Sequence, residues 1–137
     1  MVGIMNEKKI LVVDDEVLIT DMLKAALGSA GYTVVTAGSA EEALEILKRE
    51  SIMVMFLDLN LPGMNGIDLC KKIRKKNTIG IIFAMTGYSN FYGLLDCRTV
   101  GFDDFFVKPV KLDVLLKSVQ EAFERLDRWA ISDYDLA

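Results

Sequence analysis

The chain has 137 residues, 52% of them apolar and 26% charged, with two prolines and a formal net charge of -4. That length suits one compact domain able to bury roughly two-thirds of its unfolded surface, and the composition excludes a disordered chain. Acids and bases interleave along the helical stretches, so no basic face is offered to nucleic acid or an anionic membrane. No apolar run approaches the roughly 20 residues of a bilayer span, and Met1 to Asn6 lacks the features of a signal peptide, so a cytoplasmic location is expected.

Lys9 to Val13 is a short β-branched apolar run followed by an acidic turn. An apolar-faced helix follows from about Glu16 to Ala30, stopped by Gly31. Thr33 to Ala37 reads as a second strand, after which Ser39 and Glu42 form a capping-box pair ahead of Ala40, Ala43, Leu44 and Leu47 at helical spacing. Met53 to Leu57 is a wholly apolar strand ending on Asp58 and leading into a loop rich in turn formers, Asn60 to Gly66. A helix from about Ile67 to Lys75 comes next, then a fourth strand, Ile79 to Met85. The segment from about Asn90 to Thr99, weakened by Gly93, is a marginal helix and the most mobile one expected. Asp104 to Val107 is the fifth strand. The last helix sets Leu112, Leu115, Leu116, Val119, Phe123 and Leu126 on one face, with Asp113, Lys117, Glu121 and Glu124 opposite. Residues 1–8 read as an N-terminal extension, 9–127 as the domain and 128–137 as an acidic, unpatterned tail.

Strands alternating with helices imply an α/β fold, a doubly wound, five-stranded parallel sheet with helices on both faces. Reactive groups in such folds gather at the carboxyl ends of the strands. There the sequence puts Asp14 and Asp15 after the first strand, Asp58 after the third, Thr86 after the fourth and Lys108 with Pro109 after the fifth. Any one of these residues could be a plain turn or cap. Together, three converging carboxylates would repel by on the order of 4 kcal/mol per pair at about 4 Å and an effective dielectric near 20. A hard divalent cation with oxygen ligands relieves this, and Mg²⁺ (or Mn²⁺) fits the set, with Lys108 as a second positive charge suited to a phosphoryl oxygen. A carboxylate beside a metal ion, a lysine and a hydroxyl is a nucleophile for phosphoryl transfer, and Asp58, on the central strand, is the candidate. The chain has no histidine and so no phosphohistidine of its own, and the phosphoryl donor acts in trans. Cys70 and Cys97 lack CxxC or metal-ligand spacing and read as reduced thiols.

Four segments carry a family resemblance: Ile10-Leu11-Val12-Val13-Asp14-Asp15-Glu16, Leu57-Asp58 through Gly66, Met85-Thr86-Gly87, and Gly101 through Val107-Lys108-Pro109. With 43 residues from Asp15 to Asp58, 28 to Thr86 and 22 more to Lys108, the ordered set resembles response-regulator receivers over about Lys8 to Leu126. The resemblance implies a flavodoxin-like strand order of 2-1-3-4-5, and a phosphorylation-dependent signalling switch rather than an enzyme, beyond self-phosphorylation and slow self-dephosphorylation. It implies that Asp58 takes a phosphoryl group from a histidine kinase or phosphotransfer protein. Asp15, Asp58 and the backbone carbonyl of Asn60 would hold Mg²⁺, with Asp14 assisting through water. It further implies a cis peptide between Lys108 and Pro109, movement of Thr86 toward the phosphoryl group, and an inward turn of Phe105. Partner proteins would read the change at the face of helix 4, strand 5 and helix 5. Kinases would dock around Ile19 and Met22 on the first helix, and Asn60 and Tyr88 would tune attack by water.

Several readings stay open. Phe105 and the Ile19/Met22 face also fit ordinary core packing, Phe106 reads as core, and Tyr88, Phe91 and Tyr92 form either a partner patch or the buried side of the weak helix. A receiver-like interaction module that works without phosphorylation is the alternative function. A flavin carrier would need a glycine- or hydroxyl-rich loop where the chain has Asp14 and Asp15, and an aspartyl phosphatase a second acid where it has Asn60. No room is expected after Leu126 for a DNA-binding domain, and Lys111-Leu112-Asp113 does not match the pattern of receivers that dimerise through helix 5. A monomer is the default, weak dimerisation the alternative.

Overall fold

The computed structural model describes residues 7–87 and 97–136, with side chains through residue 130. Five strands, β1 (Lys9–Val13), β2 (Thr33–Ala37), β3 (Val54–Asp58), β4 (Ile81–Thr86) and β5 (Asp104–Val107), form one all-parallel sheet in the order β2-β1-β3-β4-β5. The helices are α1 (Val17–Ser29), α2 (Ala40–Arg49), α3 (Gly66–Arg74), a short helical stretch over 97–100 (α4) and α5 (Leu112–Leu136). The doubly wound arrangement is therefore the one expected. Most of the helix expected from about Asn90 to Thr99 lies outside the described residues.

Strand periodicity sorts the core. Along β1, Leu11 and Val13 join Met55, Leu57, Ile82 and Ala84 on one face, with Leu69, Cys70, Ile73, Cys97 and Phe102. Ile10 and Val12 point to the other face, with Val54, Phe56, Phe83, Met85 and Phe106, covered by Leu23 and Leu27 of α1 and Leu115, Val119 and Phe123 of α5. Because both faces are covered, β3 is buried along its whole length and reads as a continuous apolar run, as a central parallel strand should. Phe56 stacks on Phe83 with ring centroids 4.8 Å apart, and Phe106 closes the trio at 5.9 and 5.5 Å, so Phe106 is core.

Local chemistry sets the ends of the elements. Ser39 caps α2 by accepting from the Glu42 amide at 3.1 Å, but the Glu42 carboxylate reaches past Ser39 to the Gly38 amide at 2.6 Å, a capping box displaced by one residue. Asn65 caps α3, accepting from the Asp68 amide. β4 begins at Ile81, later than the apolar run suggests, because the Asn77 side chain accepts from the amides of Ile79 and Gly80 and holds them in a turn. α5 continues through the segment read as an unpatterned tail. No glycine or proline interrupts 112–136, and a helix persists without an apolar stripe while its backbone bonds go unchallenged.

Arg74, at the end of α3, ties down the strand end remote from Asp58. Its guanidinium donates to Gly101 O at 2.8 and 2.7 Å, to Gly80 O at 2.6 Å and to Asp103 Oδ2 at 2.9 Å, and that same carboxylate oxygen accepts from the Ile82 amide. Gly101 has φ +117°, and a Cβ there would meet the Arg74 side chain at 2.8 Å, so the position demands glycine twice over.

Candidate functional site

β1 and β3 lie side by side at the middle of the sheet, with Val13 in register with Leu57, so Asp14 and Asp58 leave neighbouring strands at the same edge. β4 and β5 extend that edge, with Thr86 in register with Val107. Lys108 follows at once; its amide donates to Thr86 O at 2.7 Å, which fixes where its side chain sets out, and its peptide bond to Pro109 is cis.

The side chains converge. Lys108 Nζ stands 2.6 Å from Asp14 Oδ2, 3.4 Å from Asp58 Oδ2 and 3.5 Å from Glu16 Oε1. Ligand atoms of Asp14, Asp15 and Asp58 all lie within 4.8 Å of one another, with Asp14 and Asp58 buried and Asp15 exposed. An open cleft of about 360 Å³ is lined by Asp15, Glu16, Asp58, Asn60, Gly87 and Lys108. The Asp58 carboxylate is steadied by the Asn60 amide, which donates to Oδ1 at 3.1 Å, and Asp14 Oδ1 accepts from the Glu16 amide at 2.9 Å. Gly66 closes the base of the site: a Cβ there would fall inside van der Waals contact with the Asp58 carbonyl group and 2.9 Å from Leu59 Cα.

Burial pushes the Asp58 carboxyl above its ordinary pKa; the Asn60 amide pulls the other way, the Asp14 charge adds to the rise and Lys108 opposes it. Burial disfavours the Lys108 ammonium as well, but its partners Asp14 and Asp58 outweigh that and hold its pKa above the usual value. Asp14 Oδ2, fully buried, faces the Lys108 ammonium at 2.6 Å and has no further hydrogen-bond partner among the described residues, so part of its acceptor capacity is left for another cation. Two buried carboxylates and an exposed third, served by one lysine, make a donor set of hard oxygens with surplus negative charge, which fits a small divalent cation. The residues suit Mg²⁺.

Asp14, Asp15, Asp58, Asn60 and Lys108 thus come together as the sequence suggested, with Thr86 at the adjoining strand end. Phe105 pairs with Ala84 in the sheet and is 39% exposed, so its ring is not part of the core. Tyr88, Phe91 and Tyr92 lie outside the described residues. On α1, Met22 is exposed as expected, at 38%, whereas Ile19 packs against the core, the alternative left open for it; Leu18 at 84% and Val17 at 68% are the more exposed apolar residues. Glu16 and Gly66 stand in the motif segments, but their spacing alone assigns them no part in the site. For Glu16, the signal was its place directly after the paired aspartates.

The model of the response regulator receiver domain matches residues 10–120. The chain is 36% identical over 124 residues to ycf27 of Porphyridium aerugineum, named as a probable transcriptional regulator, covering 90% of this chain and 51% of that protein. It is 36% identical over 122 residues to the regulatory protein VanR of Enterococcus faecium, covering 89% and 52%. The chain therefore spans about half the length of the curated relatives it matches. A CheY-like receiver domain from Methanospirillum hungatei superimposes with a TM-score of 0.85 at 31% identity, covering 90% of this chain and 99% of that one. With its sheet order, its strand-end carboxylates and this match over most of its length, the chain belongs to the response regulator receiver domain family.

Proposed function

We propose that the protein is a phosphorylation-dependent switch in which Asp58 accepts a phosphoryl group from a histidine kinase or phosphotransfer protein. The observation that carries this reading is Lys108 Nζ held between Asp14 and Asp58, on a cleft where three carboxylates share one small volume. Asp58 Oδ attacks phosphorus, the phosphorus–nitrogen bond of the donor breaks, and its electron pair leaves with the imidazole. The product is an acyl phosphate on Asp58. Asp14, Asp15, Asp58 and the Asn60 carbonyl would hold Mg²⁺ (or Mn²⁺), which when bound offsets the negative charge of the carboxylates and the arriving phosphoryl group. Lys108 binds a phosphoryl oxygen by exchanging the Asp58 carboxylate for it, and Thr86 offers a hydroxyl to another. Asp14 keeps the ammonium aimed into the cleft throughout.

The response is a charge event biasing a two-state element. Phe105, exposed on β5 beside the strand that carries Thr86, is the side chain available to turn inward, and a downstream protein partner would read the change at the face of α4, β5 and α5. Leu18 and Val17, next to the cleft on α1, offer the phosphodonor protein an apolar contact. Incubation with acetyl phosphate and Mg²⁺ tests the reading: intact mass should rise by one phosphoryl group in the parent and not in Asp58→Asn. An unmodified parent would leave a receiver-like interaction module that works without phosphorylation.

A further inference from the structure

Of the three carboxylates around Lys108, two are fixed and one is not. Asp14 and Asp58 are buried, and both have a carboxylate oxygen bound to a backbone amide. The Glu16 side chain is 63% exposed, lies on the cleft and has Lys108 as its ion-pair partner at 3.5 Å. Although Glu16 occupies the N-cap of α1, its side chain makes no capping hydrogen bond; the backbone amide is what anchors it, to Asp14. Nor do its oxygens belong to the cluster of Asp14, Asp15 and Asp58. The side chain is thus spare for the helix and for the metal ligands, and it meets Lys108, the one cation lining the cleft among the described residues, from the solvent side.

We infer that Glu16 is a charge screen over Lys108 that ranks incoming phosphodonors by their negative charge. This deepens the proposed function and rests on Asp58 being the acceptor. A phosphoryl oxygen that takes the place of Asp58 on Lys108 comes close to the Glu16 carboxylate, and the more charge the donor carries the greater the repulsion. Glu16 acts through Lys108 and is a positioning residue. A carboxylate in the cleft mouth therefore holds the acceptor back from small dianionic metabolite phosphates. A protein donor, whose phosphohistidine arrives with its own docking contacts, meets that obstacle with binding energy to spare.

The test compares two small donors of different charge, dianionic acetyl phosphate and monoanionic phosphoramidate, on the parent, Glu16→Gln and Glu16→Asp with Mg²⁺ present. Glu16→Gln should speed labelling by acetyl phosphate by about two- to five-fold, the range an exposed ion pair supports, and labelling by phosphoramidate by less. Glu16→Asp, which keeps the charge, should restore the parent's ratio of the two rates. The advantage of Glu16→Gln should shrink at about 1 M salt, where the screening length falls to roughly 3 Å. An unchanged ratio in a parent that labels normally overturns the screen alone, as does equal acceleration with both donors, the mark of a structural effect. A parent that labels with neither donor overturns the acceptor assignment, and the screen with it.

Discussion

Gly66 lies so close beneath Asp58 that its missing side chain is a condition of the site: a Cβ would press into the Asp58 carbonyl group and stand 2.9 Å from Leu59 Cα. The obstruction is backbone, which cannot swing aside as a flexible side chain would. Gly66→Ala is expected to lower stability by about 1–3 kcal/mol, the usual cost of overpacking, and to slow acetyl phosphate labelling because the loop carrying Asn60 must shift. Urea unfolding and labelling rates check both. A variant as stable as the parent would mean that the loop yields freely.

Asp58 gives a pH-dependent expectation whose sign follows from its raised pKa. Its ordinary value is 3.8, and burial, the largest cause, raises it in the folded protein. The charged form of Asp58 is therefore disfavoured in the folded state relative to the unfolded chain, and the stability tied to the neutral form is present below pH 3.8 and lost as pH climbs through the folded value. Asp58→Asn should melt higher than the parent at pH 7 without metal, by about 3–5 °C for each kcal/mol relieved in a chain of this size. The gap should narrow toward pH 3.8. Mg²⁺ should raise the melting temperature of the parent more than that of the variant. Melting curves at two pH values, with and without Mg²⁺, decide the matter.

Leu18 is expected to matter to a protein donor and not to a small one. Leu18→Ala removes exposed apolar surface without touching the cleft or the core. Transfer from a phosphorylated kinase should slow by about fivefold or more, the effect of losing about 1 kcal/mol of contact, while labelling by acetyl phosphate stays within about twofold of the parent. Equal losses with both donors would count against a docking role.

Cys70 should be a silent thiol. It is fully buried, burial pushes its pKa up to about 11, and Sγ donates to Val100 O at 3.7 Å. Thiol reagents at pH 8 should leave it unmodified in the folded protein and reach it in urea. Since the folded pKa lies above the ordinary 9.0, the stability tied to the neutral thiol is intact below pH 9 and drains away as pH rises toward 11. The loss is on the order of 2–3 kcal/mol, and Cys70→Ala should flatten that part of the profile.

Much of this was legible in the sequence for identifiable reasons. Central parallel strands are buried on both faces, so β1, β3 and β4 announce themselves as apolar runs, and polar residues at their ends are conspicuous. What stayed hidden depended on direction. α1 opens Val17-Leu18-Ile19-Thr20, apolar nearly all round, and its phase is set by Thr20, which is buried with its hydroxyl donating to Val17 O at 3.0 Å. A polar residue on the core side concealed which apolar neighbours face water. The reach of Glu42 to Gly38, the turn that Asn77 imposes on Ile79, and the Glu16–Lys108 pair belong to the same class, since each turns on where one flexible side chain points.

The Arg74 clasp bears on how a charge added at Asp58 could be felt elsewhere. One guanidinium binds carbonyl groups just before β4 and between α4 and β5, together with the Asp103 carboxylate, all at the far end of the strands. That end is fastened like an abutment. Displacement started at the cleft would then be spent among the loops and strand tips nearest to it, so the sheet serves as a bearing against which they move rather than as the messenger itself.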